Sequence, residues 1–355
     1  MANRRHFLAG LLAASACPRP TWAEAGSPAF LSAAMTRDGR YQLCGLSAAG
    51  QITFACALPD RGHAAAAHPE QPLAVGFARR PGRFAVVLDC ATGHEIARFD
   101  APEGRHFYGH GAFSSDGRRL YTAENDYAAA RGVIGVWSLE GKRLGEFDSH
   151  GTGPHDIRLM PDGETLVVAN GGIETHPESG RTKLNIPLMD PSLAFLSLEG
   201  DLLDQQRLDR KLHKNSIRHL AVGPDGTVAF AMQWQGAEGA AMPLLGLHRM
   251  TETPILASAP LDEQLLMQGY AGSIAFAGDG GEVAITSPRG GRLHRFTPDG
   301  DFIASFARSD VCGLAALGDG YLASDGLGGL IALDHAGPRA LNRMPSAWDN
   351  HLIAI

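Results

Sequence analysis

Residues 112–126 read AFSSDGRRLYTAEND, a short apolar strand, an Asp-Gly turn and a second strand that ends in polar residues. Three other stretches share the pattern: IRLMPDGETLVVANG (157–171), LAVGPDGTVAFAMQW (220–234) and IAFAGDGGEVAITSP (274–288). Alternating apolar residues around an Asp-Gly turn are the strongest short-range signal for a β-hairpin. A second hairpin follows each one, as in GVIGVWSLEGKRLGEF (132–147), LAFLSLEGDLLDQQRL (193–208) and GRLHRFTPDGDFIASF (291–306). FAVVLDCATGHEIARF (84–99) fits the same place. The unit is therefore four antiparallel strands, A to D, recurring about every 45 residues, the period of a β-propeller blade. No segment carries a sustained helical period.

Six complete blades are expected, with A strands starting near His63, Gly109, His155, Arg218, Gly272 and Cys312. Residues 30–59 supply strands B, C and D but no A, and the chain ends in AWDNHLIAI (347–355), a lone strand. The expectation is an all-β, seven-bladed β-propeller, with Asn350 to Ile355 joining the N-terminal blade beside Phe30 to Met35 and closing the ring. Such closure leaves no open sheet edge there.

The N-terminus reads separately. Asn3-Arg4-Arg5-His6-Phe7-Leu8 is a twin-arginine export motif, an apolar run follows to Ala16, and Ala23-Glu24-Ala25 is a small-residue cleavage pattern. Residues 1–25 are expected to be a signal peptide and 26–355 a single propeller domain in the periplasm. The apolar run is too short to span a bilayer. Cys17 lacks the leucine three residues earlier that a lipid-anchored cysteine requires, so lipoprotein anchoring is set aside. Cleavage removes Arg4, Arg5, Arg19 and Glu24, taking the formal charge from −7 to −9. That balance offers no footprint for nucleic acid or anionic membrane. Cys44, Cys56, Cys90 and Cys312 remain. Cys44 and Cys56 could face each other across a hairpin, but twin-arginine export carries proteins already folded in a reducing compartment. Four buried or site thiols are expected over a disulfide framework.

The Asp-Gly turns lie on one face of such a ring, and the D–A and B–C loops on the other. That second face collects the histidines, amides and unusual glycines, and loops gathered at one end are where scaffolds carry function. A strands line the central channel, so His63, His110, His155, His219 and His351 should converge on its axis. With Cys312, Glu124, Asp126 and Asp349 nearby, these are ligand types for a transition metal. Asn170, His176, Arg181, Arg218, Arg289, Asp325, Asp349 and Asn350 complete the channel mouth or a partner-docking face. No local metal motif is present, and a blade histidine often serves only to bond a neighbouring loop. His6, His68, His94, His248, His294 and His335 read as ordinary surface or strand positions. The insertion from Gly171 to Pro191 reads as a lid, a docking loop or a packed surface loop. Affinity for a metal held by neutral imidazoles is expected to fall as pH drops through about 6.5.

The stretches FYGHG, TAENDY, SHGTGPHD, PDGETLVVANGGIETHPESGRTKLN, SIRHLAV, SPRGG, DVCG and WDNHL, together with the twin-arginine start, resemble the domain-of-unknown-function fifteen-thirteen family of exported bacterial proteins. That resemblance implies association with imelysin-type and dihaem peroxidase-like periplasmic proteins in iron-related gene groups. It tilts the metal reading toward iron, with copper next. Three functions follow: a periplasmic binding or accessory module for metal handling, a metal-assisted hydrolase or lactonase-like enzyme using Glu124, Asn170 and Asp325, or an interaction scaffold. A histidine majority favours the first, and no Gly-x-Ser-x-Gly elbow supports covalent hydrolysis.

Overall fold

The computed structural model describes residues 20–355 apart from Pro81 and Arg181. The export motif at Arg4 and Arg5, the apolar run and Cys17 lie outside the described residues. Seven antiparallel sheets form a ring, a seven-bladed β-propeller. Blade 2 is Gly62–Ala67, Leu73–Ala78, Phe84–Asp89 and His94–Asp100, from axis to rim. Blade 3 is Arg105–Phe113, Leu120–Asp126, Arg131–Trp137 and Arg143–Asp148; blade 4 is Pro154–Leu159, Thr165–Asn170, Ser192–Ser197 and Leu202–Arg207. Blade 5 comprises Asn215–Val222, Val228–Trp234, Leu245–His248 and Ile255–Ala257, and blade 6 Ser273–Phe276, Val283–Ser287, Arg292–Phe296 and Phe302–Ala307. Blade 7 is Val311–Leu317, Gly320–Asp325, Gly329–Asp334 and Gly337–Arg343. A six-residue α-helix, Leu261–Leu266, lies in the connection from blade 5 to blade 6. No helix among the described residues is long and apolar enough to cross a membrane.

The strand pattern follows from burial. Second strands such as Thr165–Asn170 are buried along their whole length, covered on both faces by neighbouring blades, and so read as continuous apolar runs. Rim strands such as Phe302–Ala307 alternate between half-buried and exposed, which is why their sequences alternate polar and apolar residues. Apolar side chains of adjacent blades interlock around the ring. Phe77, Phe107, Phe113 and Trp137 join blades 2 and 3, while Phe30, Cys44, Leu322, Leu330 and Trp348 join blades 7 and 1.

Closure is as expected in kind and differs in detail. Blade 1 holds Phe30–Thr36, Tyr41–Leu46 and Ile52–Leu58, and its inner strand comes from the C-terminus in two pieces. Ser346–Trp348 pairs with Ala34–Thr36, and Ile353–Ala354 pairs with Phe30–Leu31. Asp349 to Leu352 between them make no ladder pairs with that strand, so the innermost strand begins earlier than Asn350 and is interrupted. The four cysteines among the described residues, Cys44, Cys56, Cys90 and Cys312, are free and buried. Cys56 pairs with Leu43 and not with Cys44. Adjacent register positions point to opposite sheet faces, so Cys44 packs toward blade 7 and Cys56 toward blade 2, beside Cys90. A disulfide across that hairpin is thereby excluded.

The interruption at Asp349–Leu352 is one of a series. Inner-strand register breaks between Gly62 and Ala65, Phe107 and Gly111, Pro154 and Asp156, Ile217 and His219, and Val311 and Leu314. Only the inner strand of blade 6 runs without a break. An extra residue in one strand goes unpaired and re-aims its side chain.

Ring closure makes a direct prediction. Trp348, Leu352 and Ile353 are buried in the blade 1 interfaces, and each such side chain contributes about 1.5–3 kcal/mol. Ending the chain at Pro345 should remove about 5 kcal/mol or more and leave a bare sheet edge. Soluble yield should collapse in a fractionation assay, and any soluble remainder should melt about 5 °C or more lower, since about 1 kcal/mol shifts a domain of this size by roughly 1–2 °C. A soluble truncation with unchanged melting would contradict closure by these residues.

Candidate metal centre

The breaks in the inner strands deliver five imidazoles to one level of the channel: His63, His110, His155, His219 and His351. Ring centroids of His63 lie 5.0 Å from His110 and 4.5 Å from His351. His110 lies 5.2 Å from His155 and 4.7 Å from His351, and His219 lies 4.7 Å from His155 and 4.8 Å from His351. All five are buried. One glycine makes the approach possible. Gly109 has φ +94°, and a Cβ there would stand 2.6 Å from the His63 ring. Backbone and close contact both demand glycine at that point.

Two carboxylates back the cluster. Asp349 accepts from His63 Nδ1 at 3.3 Å and is held by Arg61 and Arg79, each at 2.9 Å. Asp156 accepts from His110 Nδ1 at 3.2 Å and from the backbone N–H of Leu220 at 3.0 Å. Burial alone would raise both carboxyls. For Asp156 it is outweighed by Arg158 and His110, and for Asp349 by His63, Arg79 and Arg61, so both sit below the usual carboxylate range. A carboxylate at Nδ1 fixes the tautomer that leaves Nε2 with its lone pair, the second partner typical of a metal-bound histidine.

Three of the cluster's nitrogens lack a hydrogen-bond partner. His110 Nε2, His155 Nδ1 and His219 Nδ1 are buried without any hydrogen-bond partner, at a cost of about 1–3 kcal/mol each. His63 Nε2 and His351 Nε2 share a hydrogen bond at 3.3 Å, a spacing close to the ~3.4 Å between two nitrogens on a tetrahedral ion with bonds of about 2.1 Å. Donor atoms of His63, His110 and His351 lie within 4.8 Å of one another, as do those of His110, His155 and His219. Either set would have to draw closer than 4.8 Å to share one ion. Burial favours the neutral form, the one that binds metal, in His63, His155, His219 and His351. It lowers His63 to about 4 against the pull of Asp349, and His155, His219 and His351 well below the ordinary 6.5.

Other candidates sit elsewhere. Glu124 is buried inside blade 3, where it accepts from Arg143 at 2.9 Å and Thr122 at 2.8 Å. Gly135 leaves room for it, since a Cβ there would meet its carboxylate at 1.9 Å. Asp126 is half-buried beside Arg131 and Arg105. The Cys312 thiol, raised by burial to about 12, points to the Asp349 carbonyl oxygen at 3.5 Å. None of these three belongs to the imidazole groups. Asn170 bonds Ser149 and Ser192, and Asp325 pairs with Arg308 and accepts from the turn amides of Leu327 and Gly329. Glu124, Asn170 and Asp325 thus have separate structural partners and do not meet. His176 accepts from the Glu178 amide and packs edge-on against Tyr127. Arg218, Arg289 and Asn350 do line the channel mouth, whereas Arg181 lies outside the described residues. Within the Gly171–Pro191 insertion, Asn185 bonds Gly172 and Glu174 and pins the loop down.

Sequence reasoning missed Asp156, and it missed Arg79 and Arg80 at the mouth. The signals were present: Asp156 follows His155 directly, and the two arginines stand together in the B–C loop of blade 2.

The family model described as "Protein of unknown function (DUF1513)" matches residues 56–355. No protein of curated function matches the chain. Among solved structures, a chain of Kuenenia stuttgartiensis hydrazine synthase is similar in fold, with a TM-score of 0.57 and 16% identity over 87% of this chain and 94% of that one. At that identity the likeness concerns the propeller alone.

The buried imidazoles make stability pH-dependent. Folded, His63, His155, His219 and His351 stay neutral well below 6.5, and His106 is also lowered by burial to about 4. In the unfolded chain they take up protons near 6.5, so the unfolded state binds more protons as pH falls. Metal-free protein should therefore lose stability from about pH 7 downward, with a lower guanidinium midpoint at pH 5.5 than at pH 7.5. Equal midpoints would contradict the neutral, buried assignment.

Proposed function

We propose that this chain, which belongs to the DUF1513 family, is a periplasmic metal-binding accessory protein that holds one first-row transition-metal ion on its propeller axis. The observation that carries this reading is the meeting of five buried imidazoles, three with a partnerless nitrogen and two, His63 and His110, backed by carboxylates. Neutral nitrogen donors without thiolate or carboxylate in the cluster suit Fe(II), copper or zinc, and do not suit calcium or magnesium, which take oxygen ligands. The family resemblance supports iron, and the usual affinity order at imidazole places copper above it. Handling iron or copper for an imelysin-type or dihaem peroxidase-like partner is the biological role this reading supports.

Calorimetric titration of tag-free protein with Fe(II), under anaerobic conditions, and with Cu(II) tests the site. Wild type should bind one ion, and His155→Ala should bind at least tenfold more weakly while keeping its circular dichroism. His94→Ala, on the exposed rim of blade 2, should bind like wild type. Equal affinity in the His155 variant, or no binding by any of them, would remove the metal from this account.

Location is tested separately. Replacing both Arg4 and Arg5 by lysine keeps the charge and loses the planar guanidinium fork. The unprocessed precursor should then accumulate in the cytoplasmic fraction, and unchanged periplasmic protein would contradict twin-arginine export.

A further inference from the structure

Above the imidazoles the channel opens into a pocket of about 250 Å³ whose floor includes His63, His155 and His219. Five cationic side chains line it: Arg79, Arg80, Lys183, Arg218 and Arg289, and no aspartate or glutamate does. Such a bias is unexpected in a chain with formal charge −7. Arg79 is balanced by Asp349, and Arg80 donates to Thr175 Oγ1 at 3.0 Å. Lys183, Arg218 and Arg289 have no carboxylate partner among the described residues. Lys183 donates to the neutral Gln235 side chain, and the Arg289 guanidinium lies 4.5 Å over the Tyr270 ring. Arg218 Nε is buried without a hydrogen-bond partner.

The like charges disfavour one another. Burial and the neighbouring Arg80 lower Arg218 to about 10, and burial together with Arg218, Arg289 and Arg80 lowers Lys183. Folding that brings uncompensated cations together carries a cost, and that cost disappears when an anion enters. Two of the three unbalanced cations are guanidinium forks, which match the paired oxygens of carboxylate and phosphate. The volume falls below the roughly 300–1,000 Å³ of pockets for drug-sized ligands.

We propose that this pocket binds a small oxyanion of two or more negative charges, a polycarboxylate or a phosphate, through Lys183, Arg218 and Arg289. The cations and not the imidazoles hold the ligand, so the site stands whether or not a metal lies beneath it. The insertion from Gly171 to Pro191, which supplies Lys183, thereby becomes one wall of a ligand site.

The test uses full-length mature protein stripped of metal by a chelator and dialysed free of it. Binding of citrate and of inorganic phosphate is measured by calorimetry in a chloride buffer, with Arg218→Gln, Arg289→Gln and the opposite-face control Arg118→Gln. At least one anion should bind with an affinity that falls at least tenfold in Arg218→Gln or Arg289→Gln and is unchanged in Arg118→Gln. Tighter citrate assigns the polycarboxylate class, and tighter phosphate the phosphate class. Arg218 has no carboxylate partner to lose, and Arg289 stands partly exposed, so at least one variant should keep the wild-type circular dichroism. Binding of neither anion, or equal binding by all four proteins, would overturn the proposal. Because the protein is metal-free, either result leaves the imidazole site to its own titration.

Discussion

The pairing of the C-terminal residues with Phe30–Thr36 is the constraint on which the rest depends. Ser346–Trp348 and Ile353–Ala354 close the ring, and the unpaired stretch between them carries Asp349 and His351 into the channel. Ring and site are thus made by the same ten residues. A chain that failed to close would lose the inner strand of blade 1, and with it one imidazole and the carboxylate that orients His63. The other inner strands repeat the device, breaking register where His63, His110, His155 and Arg218 sit. Blade 6 keeps its register and sends no histidine.

A cluster of buried imidazoles is costly unless something uses it. Burial holds four of these rings, His63, His155, His219 and His351, neutral, and three nitrogens of the cluster have no partner. A fold selected only for stability would fill such a position with apolar side chains, which pack the axis without unsatisfied groups. Instead Asp156 and Asp349, each tied down by arginine, hold two rings by Nδ1 and present Nε2. The carboxylates do not enter the cluster; they orient it. The cationic pocket above follows the same logic in the opposite sign, with unbalanced charge gathered where a ligand would enter.

The propeller was legible because Asp-Gly hairpins recur at blade spacing and because the leftover strands at the two ends complement one another. Histidine convergence was legible too, since each ring lies shortly after a D–A loop, on the segment that lines the channel. The breaks in register were not, because strict alternation assumes a two-residue period throughout and hides an added residue. Glu124, Asp126 and Asp325 misled for a related reason. They lie at or near the ends of second strands, one strand spacing of about 4.8 Å farther from the axis, and arginines from neighbouring strands and loops bind them there. The helix Leu261–Leu266 is too short to register as a period. Arg79 and Arg80 sit in a loop whose neighbours lack the histidines and amides that marked the others.

Since the account turns on imidazoles sharing one ion, the most direct measurement is X-ray absorption at the metal edge of the loaded protein. It predicts a first shell of nitrogen only, at about 2.0–2.2 Å, with the multiple-scattering pattern of at least three imidazole rings. The same spectrum of His155→Ala should show fewer rings or no bound metal. A shell dominated by oxygen or sulfur, or one unchanged by the substitution, would contradict a metal centre on the propeller axis.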